Sequence, residues 1–284
     1  MIRARIAPAW LAAWRGTALL RPRPPQGAFR ILLLHDIPTA HQGDFAALVR
    51  KVKQTHGVIG PVEAERRLSG QLPEHDEKTP PFLITFDDGF ASNYRVAEEI
   101  LNPLGIRAIF FICPKLIELD GQAQREAIAT KVFRGQRQAE DLSSDQRLMN
   151  WQELQQLSGQ GHVIGAHGQT HHNLSDLSGT DLVSEIAGSG QILSERLGRP
   201  VEWYAYAFGG IQNISSEALG VIGAHFKYCR SGVRGCNNIH THPHGLRADQ
   251  VDPGDTRAWQ DLSMEGGLDF RYREARDRLD ALAK

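Results

Sequence analysis

The chain has 284 residues, 41% hydrophobic and 23% charged, with 28 Gly and 14 Pro, an ordinary globular composition that excludes disorder and collagen-like repetition. Its 32 Lys plus Arg against 33 Asp plus Glu leave a formal charge of −1, so no global field would hold it on nucleic acid or a membrane. Three cysteines, Cys113, Cys229 and Cys236, form no CxxC pair, which fits packing roles in a reducing compartment better than a disulfide framework.

Residues 1–27 read as an amphipathic helix ended by the stiff run RPRPPQG, and residues 28–284 as one α/β domain. Ile6, Trp10 and Trp14 recur four apart, with Arg3, Arg5 and Arg15 near the helix ends. That pattern suits either peripheral membrane contact through residues 1–20 or packing of the helix on the domain. The apolar stretch is too short to span a bilayer, and Arg15 stands where a small-residue cleavage site would be, so no signal peptide is expected.

Short β-like runs then alternate with helical patterns: a strand over 31–34, a helix over 45–55, a strand over 82–86, a helix over 93–104 and a strand over 108–113. A helix over 151–158, a strand over 162–165, a helix over 181–197 stopped by Gly198 and Pro200, and a strand over 201–206 follow. The segment 226–252 is rich in Gly, Asn and His with weak periodicity, and 270–282 reads as a terminal helix. This is the βαβ rhythm of a parallel sheet or barrel.

Chemistry concentrates where these strands end. FLITFDDGF (82–90) runs from an apolar strand into Asp87 and Asp88, and parallel sheets and barrels place their sites at that carboxyl end. Adjacent carboxylates suit a cation ligand beside a base, or more simply an Asp-Gly turn that caps a helix. GHVIGAHGQTHHNLSDL (161–177) likewise leaves a short strand and presents His167 and His171. Two imidazoles and one carboxylate form a common set for catalytic zinc or a related ion.

Taken together these blocks resemble the polysaccharide deacetylases of carbohydrate esterase family four. TFDDG (85–89) matches the first motif of that family letter for letter, and HGQTH (167–171) is similar to its second, with Gly168 in place of a hydroxyl residue. The likeness extends from LLLHDIP (32–38) to YAYAFGG (204–210). It implies a distorted (β/α)7 barrel with Asp88, His167 and His171 as metal ligands and Asp87 as general base. It also implies a backbone N–H near Phe208 or Gly209 that holds the oxyanion.

Two departures stand out. The third motif, AYAFG (205–209), has Ala205 where the family usually has an arginine, leaving Arg230 or Arg247 to supply the charge, with Arg247 taken as the substrate-binding one. No Leu-x-x-His motif is found for the general acid, so that role is assigned to the run NNIHTHPHG (237–245), and within it to His242. His35, ending the first strand, is expected to border the site. The expected activity is removal of an N-acetyl group from an amino sugar of a polysaccharide, oligosaccharide or lipid-linked glycan. One divalent ion is implied, Zn2+ by its donor set, with Co2+ or Ni2+ also admitted. A non-sugar amide or cyclic ureide hydrolase and a catalytically weakened glycan-binding module are the alternatives. No motif or basic patch favours nucleic acid, and the expected location is cytoplasmic, peripheral to the inner face of the membrane.

Overall fold

Continuous apolar runs such as IFFI and RILLL bury both faces of a strand, as a parallel sheet covered by helices requires. In the computed structural model, which describes residues 2–73 and 77–284 and leaves the side chains of residues 2–4, including Arg3, outside that description, they form a parallel array. Its strands are β1 (Arg30–Leu34), β2 (Val58–Ile59), β3 (Phe82–Phe86), β4 (Ile109–Ile112), β5 (Val163–Ala166), β6 (Trp203–Ala205), β7 (Tyr228–Arg230) and β8 (Asp249–Gln250). Their order is β7-β6-β5-β4-β3-β1-β8, with β2 beside the start of β3. Leu246 bridges in parallel to Arg230, while Leu32 and Leu33 pair with Asp249 and Gln250. The stretch 246–250 therefore joins the two edges and closes a distorted (β/α)7 barrel.

Side-chain alternation divides the core into two layers. Ile31, Leu33, Leu83, Ile109, Phe111, Trp203, Ala205, Leu246 and Ala248 fill the barrel, with Ala64 of the helix Pro61–Leu68 packed into the same cluster. Leu32, Leu34, Ile84, Phe86, Phe110 and Ile112 face the outer helices. The expected strands and helices are found with small shifts at their ends, for example Trp151–Gly159 and Gly179–Leu197. The segment 226–252 differs from a plain loop, since it carries β7 and β8. The helices Pro61–Leu68, Ser216–His225 and Arg257–Met264 were not anticipated.

The N-terminal helix Ile2–Gly16 packs on the helix Arg257–Met264, with Ala7 and Leu11 buried against Trp259 and Leu262. Trp10 lies 5.7 Å from the Phe270 ring, Trp14 Nε1 donates to Glu265 O at 3.2 Å, and Arg15 Nη2 pairs with Asp261 at 3.0 Å. The tryptophans of the stripe thus pack on the domain, and Ile6 remains exposed. Among the described residues no helix is long and apolar enough to cross a membrane.

Candidate active site

The ladder continues one step beyond its strands: Asp87 N donates to Leu34 O and His167 N to Ile112 O, each at 2.9 Å. Asp87 shares the inward phase of Leu83 and Thr85, so its carboxylate enters the mouth of the barrel. Of four non-glycine residues with positive φ among the described residues, three stand here: Asp88 (71°), His171 (61°) and Phe208 (64°). Such backbone is costly for L-residues and persists where packing and hydrogen bonding over-determine it.

Asp88, His167 and His171 are all buried and offer ligand atoms within 4.8 Å of one another. Asp88 Oδ1 lies 3.1 Å from His171 Nε2 and 3.5 Å from His167 Nε2. Each imidazole is oriented from behind, His167 Nδ1 donating to Ala205 O at 2.7 Å and His171 Nδ1 to Lys131 O at 3.2 Å. This fixes the tautomer that turns both Nε2 atoms toward Asp88, the outer-shell arrangement typical of metal-binding histidines. The Lys131 carbonyl is available because the helix ends here: Gly135 N, its donor in a regular turn, reaches back to Ala129 O at 2.8 Å instead. Burial pushes the Asp88 carboxyl up, but hydrogen bonds from the two histidines prevail and hold it well below the usual carboxylate range. Burial likewise opposes charge on His167, yet Asp87 and Asp88 raise its pKa above the ordinary histidine value. This buried carboxylate facing two imidazole Nε2 atoms fits a divalent ion, which would take the place of the protons between them.

Asp87 is held by a second cation. Its Oδ1 accepts a short hydrogen bond from Arg230 Nη2, both groups being buried, while Oδ2 lies 3.9 Å from His167 Nε2. Arg230 ends β7 with its guanidinium 4.9 Å from the Phe111 ring centroid. The turn after β6 clamps it: Gly232 N donates to Gly209 O at 2.8 Å, and a Cβ on Gly209 would lie 2.6 Å from Gly232 N. Arg230 thus takes the place left by Ala205. Arg247 does not, because Leu246 and Ala248 face the barrel and the residue between them faces outward, where it binds both Asp280 oxygens at 2.8 and 2.6 Å.

Gly168 also has a local cause. At φ 77° its missing Cβ would stand 2.5 Å from Glu185 Oε1. That buried carboxylate accepts from Thr170 N at 2.9 Å and Thr170 Oγ1 at 3.0 Å, bracing the loop between the two histidines.

The resulting cleft encloses about 490 Å³ and is lined by Asp87, Asp88, His167, His171, Arg230 and His35, with Phe208 and Gly209 on its wall. Phe208 packs edge-on against His171 at 4.7 Å, and the Gly209 N–H is directed to Tyr206 O at 3.3 Å. His35 borders the site as expected, and its charge helps lower the Asp88 carboxyl. His242 does not line the cleft. To run parallel to β7, the chain must first return to the starting end of the barrel, and this return carries His244 against the helix Ser216–His225, where its Nε2 meets Phe226 O at 3.0 Å, with the His242 ring 5.3 Å from that of His244. Two lining residues, Gln250 of β8 and Tyr272, come from C-terminal segments in which the sequence carries no motif.

The polysaccharide deacetylase family model matches residues 74–226. No curated protein matches the chain significantly. Among solved structures it is similar to the deacetylase PplD of Streptococcus pyogenes, at 17% identity and TM-score 0.64, covering 84% of this chain and 98% of that one. IcaB from Ammonifex degensii matches at 18% identity and TM-score 0.63 over 83% of this chain and 95% of its own. The BpsB deacetylase domain from Bordetella bronchiseptica matches at 15% and 0.63, over 81% and 98%. At these identities the structures establish the fold.

Proposed function

The chain belongs to the polysaccharide deacetylase family, its family model spanning more than half of the sequence, and on that premise we propose how it hydrolyses the N-acetyl group of an amino sugar. Asp88, His167 and His171 would hold one divalent ion, for which zinc suits the donor set and cobalt or nickel are also acceptable. When bound, the ion supplies a Lewis acid that polarises the amide carbonyl and makes water more acidic.

The chain's own residues supply the remaining steps. Asp87 takes the proton of the attacking water, and Arg230 holds its carboxylate in place. The Phe208 N–H faces the developing oxyanion, since the Gly209 N–H already serves Tyr206 O. His35, the histidine of the cleft outside the metal set, protonates the departing amine. The observation that carries this reading is a second buried carboxylate, fixed by an arginine, beside the Asp-His-His set. We place the activity in a reducing compartment, a reading supported by three free cysteines.

The test is metal content together with acetate release from N-acetylated chitooligosaccharides. Wild type is expected to bind one ion per chain and release acetate, His167→Ala to lose the ion, and Asp87→Asn to keep it while losing turnover by about 100-fold or more. Turnover that survives Asp87→Asn overturns the assignment of the base. Metal binding without acetate release turns attention to a non-sugar amide or to glycan binding alone.

A further inference from the structure

Eight large hydrophobic side chains are exposed among the described residues, and four of them, Ile6, Leu19, Leu20 and Phe270, gather around one element, the helix Ile2–Gly16. Scattered singly such residues need no explanation, but gathered they mark a surface that something covers. Leu19 is 100% exposed and Leu20 84%. They sit in a short turn that closes on the end of the helix, where Thr17 N and Arg21 Nη2 both donate to Trp14 O. Phe270, 64% exposed, extends the patch from its contact with Trp10. The helix adds to it. From Ile6 to Trp14 it carries no charged or hydrogen-bonding side chain except the two indoles, and Ile6, Ala9 and Ala13, spaced as one helical face, are exposed. An ordinary surface helix places charged or polar residues on its outer face. Here the inner face is already occupied, Ala7 and Leu11 packing on Trp259 and Leu262, so the outer one is a second apolar face.

The charge around this face has one sign. The sequence carries six arginines and no Asp or Glu before Asp36. Arg15 and Arg30 are taken up in pairs with Asp261, Glu265, Asp249 and Asp269, while Arg5 and Arg23 stand exposed on either side of the apolar run. We propose that the outer face of this helix, with Leu19, Leu20 and Phe270, docks the protein on a bilayer that contains anionic lipid. The apolar side chains enter the boundary between headgroups and acyl chains, and Arg5 and Arg23 meet lipid phosphates. A second copy of this chain fits less well, because a two-fold contact through this face would set arginines against arginines. Trp10 and Trp14 fasten the helix to the domain, and the leucines beyond its end are the side chains free to enter lipid.

The experiment is co-sedimentation of the full chain with vesicles of phosphatidylcholine, alone or mixed with phosphatidylglycerol, at low and high salt. Wild type is compared with Leu19→Ser/Leu20→Ser and Arg5→Gln/Arg23→Gln. Wild type is expected to bind the anionic vesicles and to be released by salt. The leucine variant, whose changed side chains are exposed, should bind at least about tenfold more weakly at an unchanged melting temperature. The arginine variant should bind about tenfold more weakly and respond less to salt. Wild type that stays in solution with anionic vesicles, that binds neutral ones equally well, or that binds no better than the leucine variant overturns the proposal. A protein that ignores vesicles but forms a dimer in sedimentation velocity, lost in the leucine variant, assigns the surface to a second copy and overturns it too. No substrate takes part, so the outcome is independent of the deacetylase reading.

Discussion

Removing the Arg230 guanidinium while keeping its bulk, as in Arg230→Met, isolates the contribution of the Asp87 partner. Asp87 and Arg230 are 4% and 0% exposed, so solvent cannot replace the lost cation. Breaking a buried pair from one side typically costs about 3–5 kcal/mol, because the remaining charge is stranded. For a domain of this size that corresponds to a fall in melting temperature of roughly 5–8 °C. The measurement is best made on metal-free protein, where no bound ion compensates the carboxylate. Asp87→Asn/Arg230→Met removes both charges and is expected to recover most of the loss, since the pair is coupled. In the metal-loaded single variant, turnover should fall about 100-fold while the ion is retained. A single variant destabilised by less than about 1 kcal/mol, or a double variant no more stable than the single, would refute the argument that Asp87 depends on this arginine.

Two other consequences follow from the geometry. Gly168→Ser, the residue type common at this place in the family, should destabilise the protein by about 3 kcal/mol, combining left-handed strain with displacement of Glu185; a urea midpoint equal to that of wild type would contradict this. His162 is buried, accepts from Ala108 N at 3.1 Å, and has its pKa pushed down to about 4. The unfolded chain therefore binds this proton first as pH falls below 6.5, and stability drops progressively until about pH 4, by roughly 3 kcal/mol. Denaturant titrations across that range should show a shallower pH slope in His162→Gln, and an unchanged slope would exclude this group as the cause.

Much of the metal set was legible because each half is local. Asp88 is the second residue after one strand and His167 the first after another, and parallel barrels expose such strand ends together at one mouth. The same locality made β1, β3 and β4 readable, since an apolar run of four or five residues marks a strand buried on both faces. By contrast β7 and β8 are only three and two residues long, too short to display any period, and they hide among Gly, Asn and His. The histidines of that stretch resembled a source of the missing acid, yet parallel pairing sends them to the other end of the barrel. The place of Tyr272 in the cleft was invisible for a related reason, since it depends on how the last helices pack against the barrel mouth.

Local periodicity in the sequence was enough for the alternating strands and helices of a parallel sheet or barrel and for strand ends that carry carboxylates and histidines, whereas the barrel itself and the Asp88, His167 and His171 set rested on the resemblance of TFDDG and HGQTH to the family motifs. Only the tertiary structure decided which arginine meets Asp87. Arg230 lies 143 residues away from it, and Arg230 and Arg247 are alike as side chains. What separates them is the phase of the pleat: alternation turns Arg230 into the barrel and Arg247 out toward Asp280, and that phase is set by strand pairing across the closed sheet.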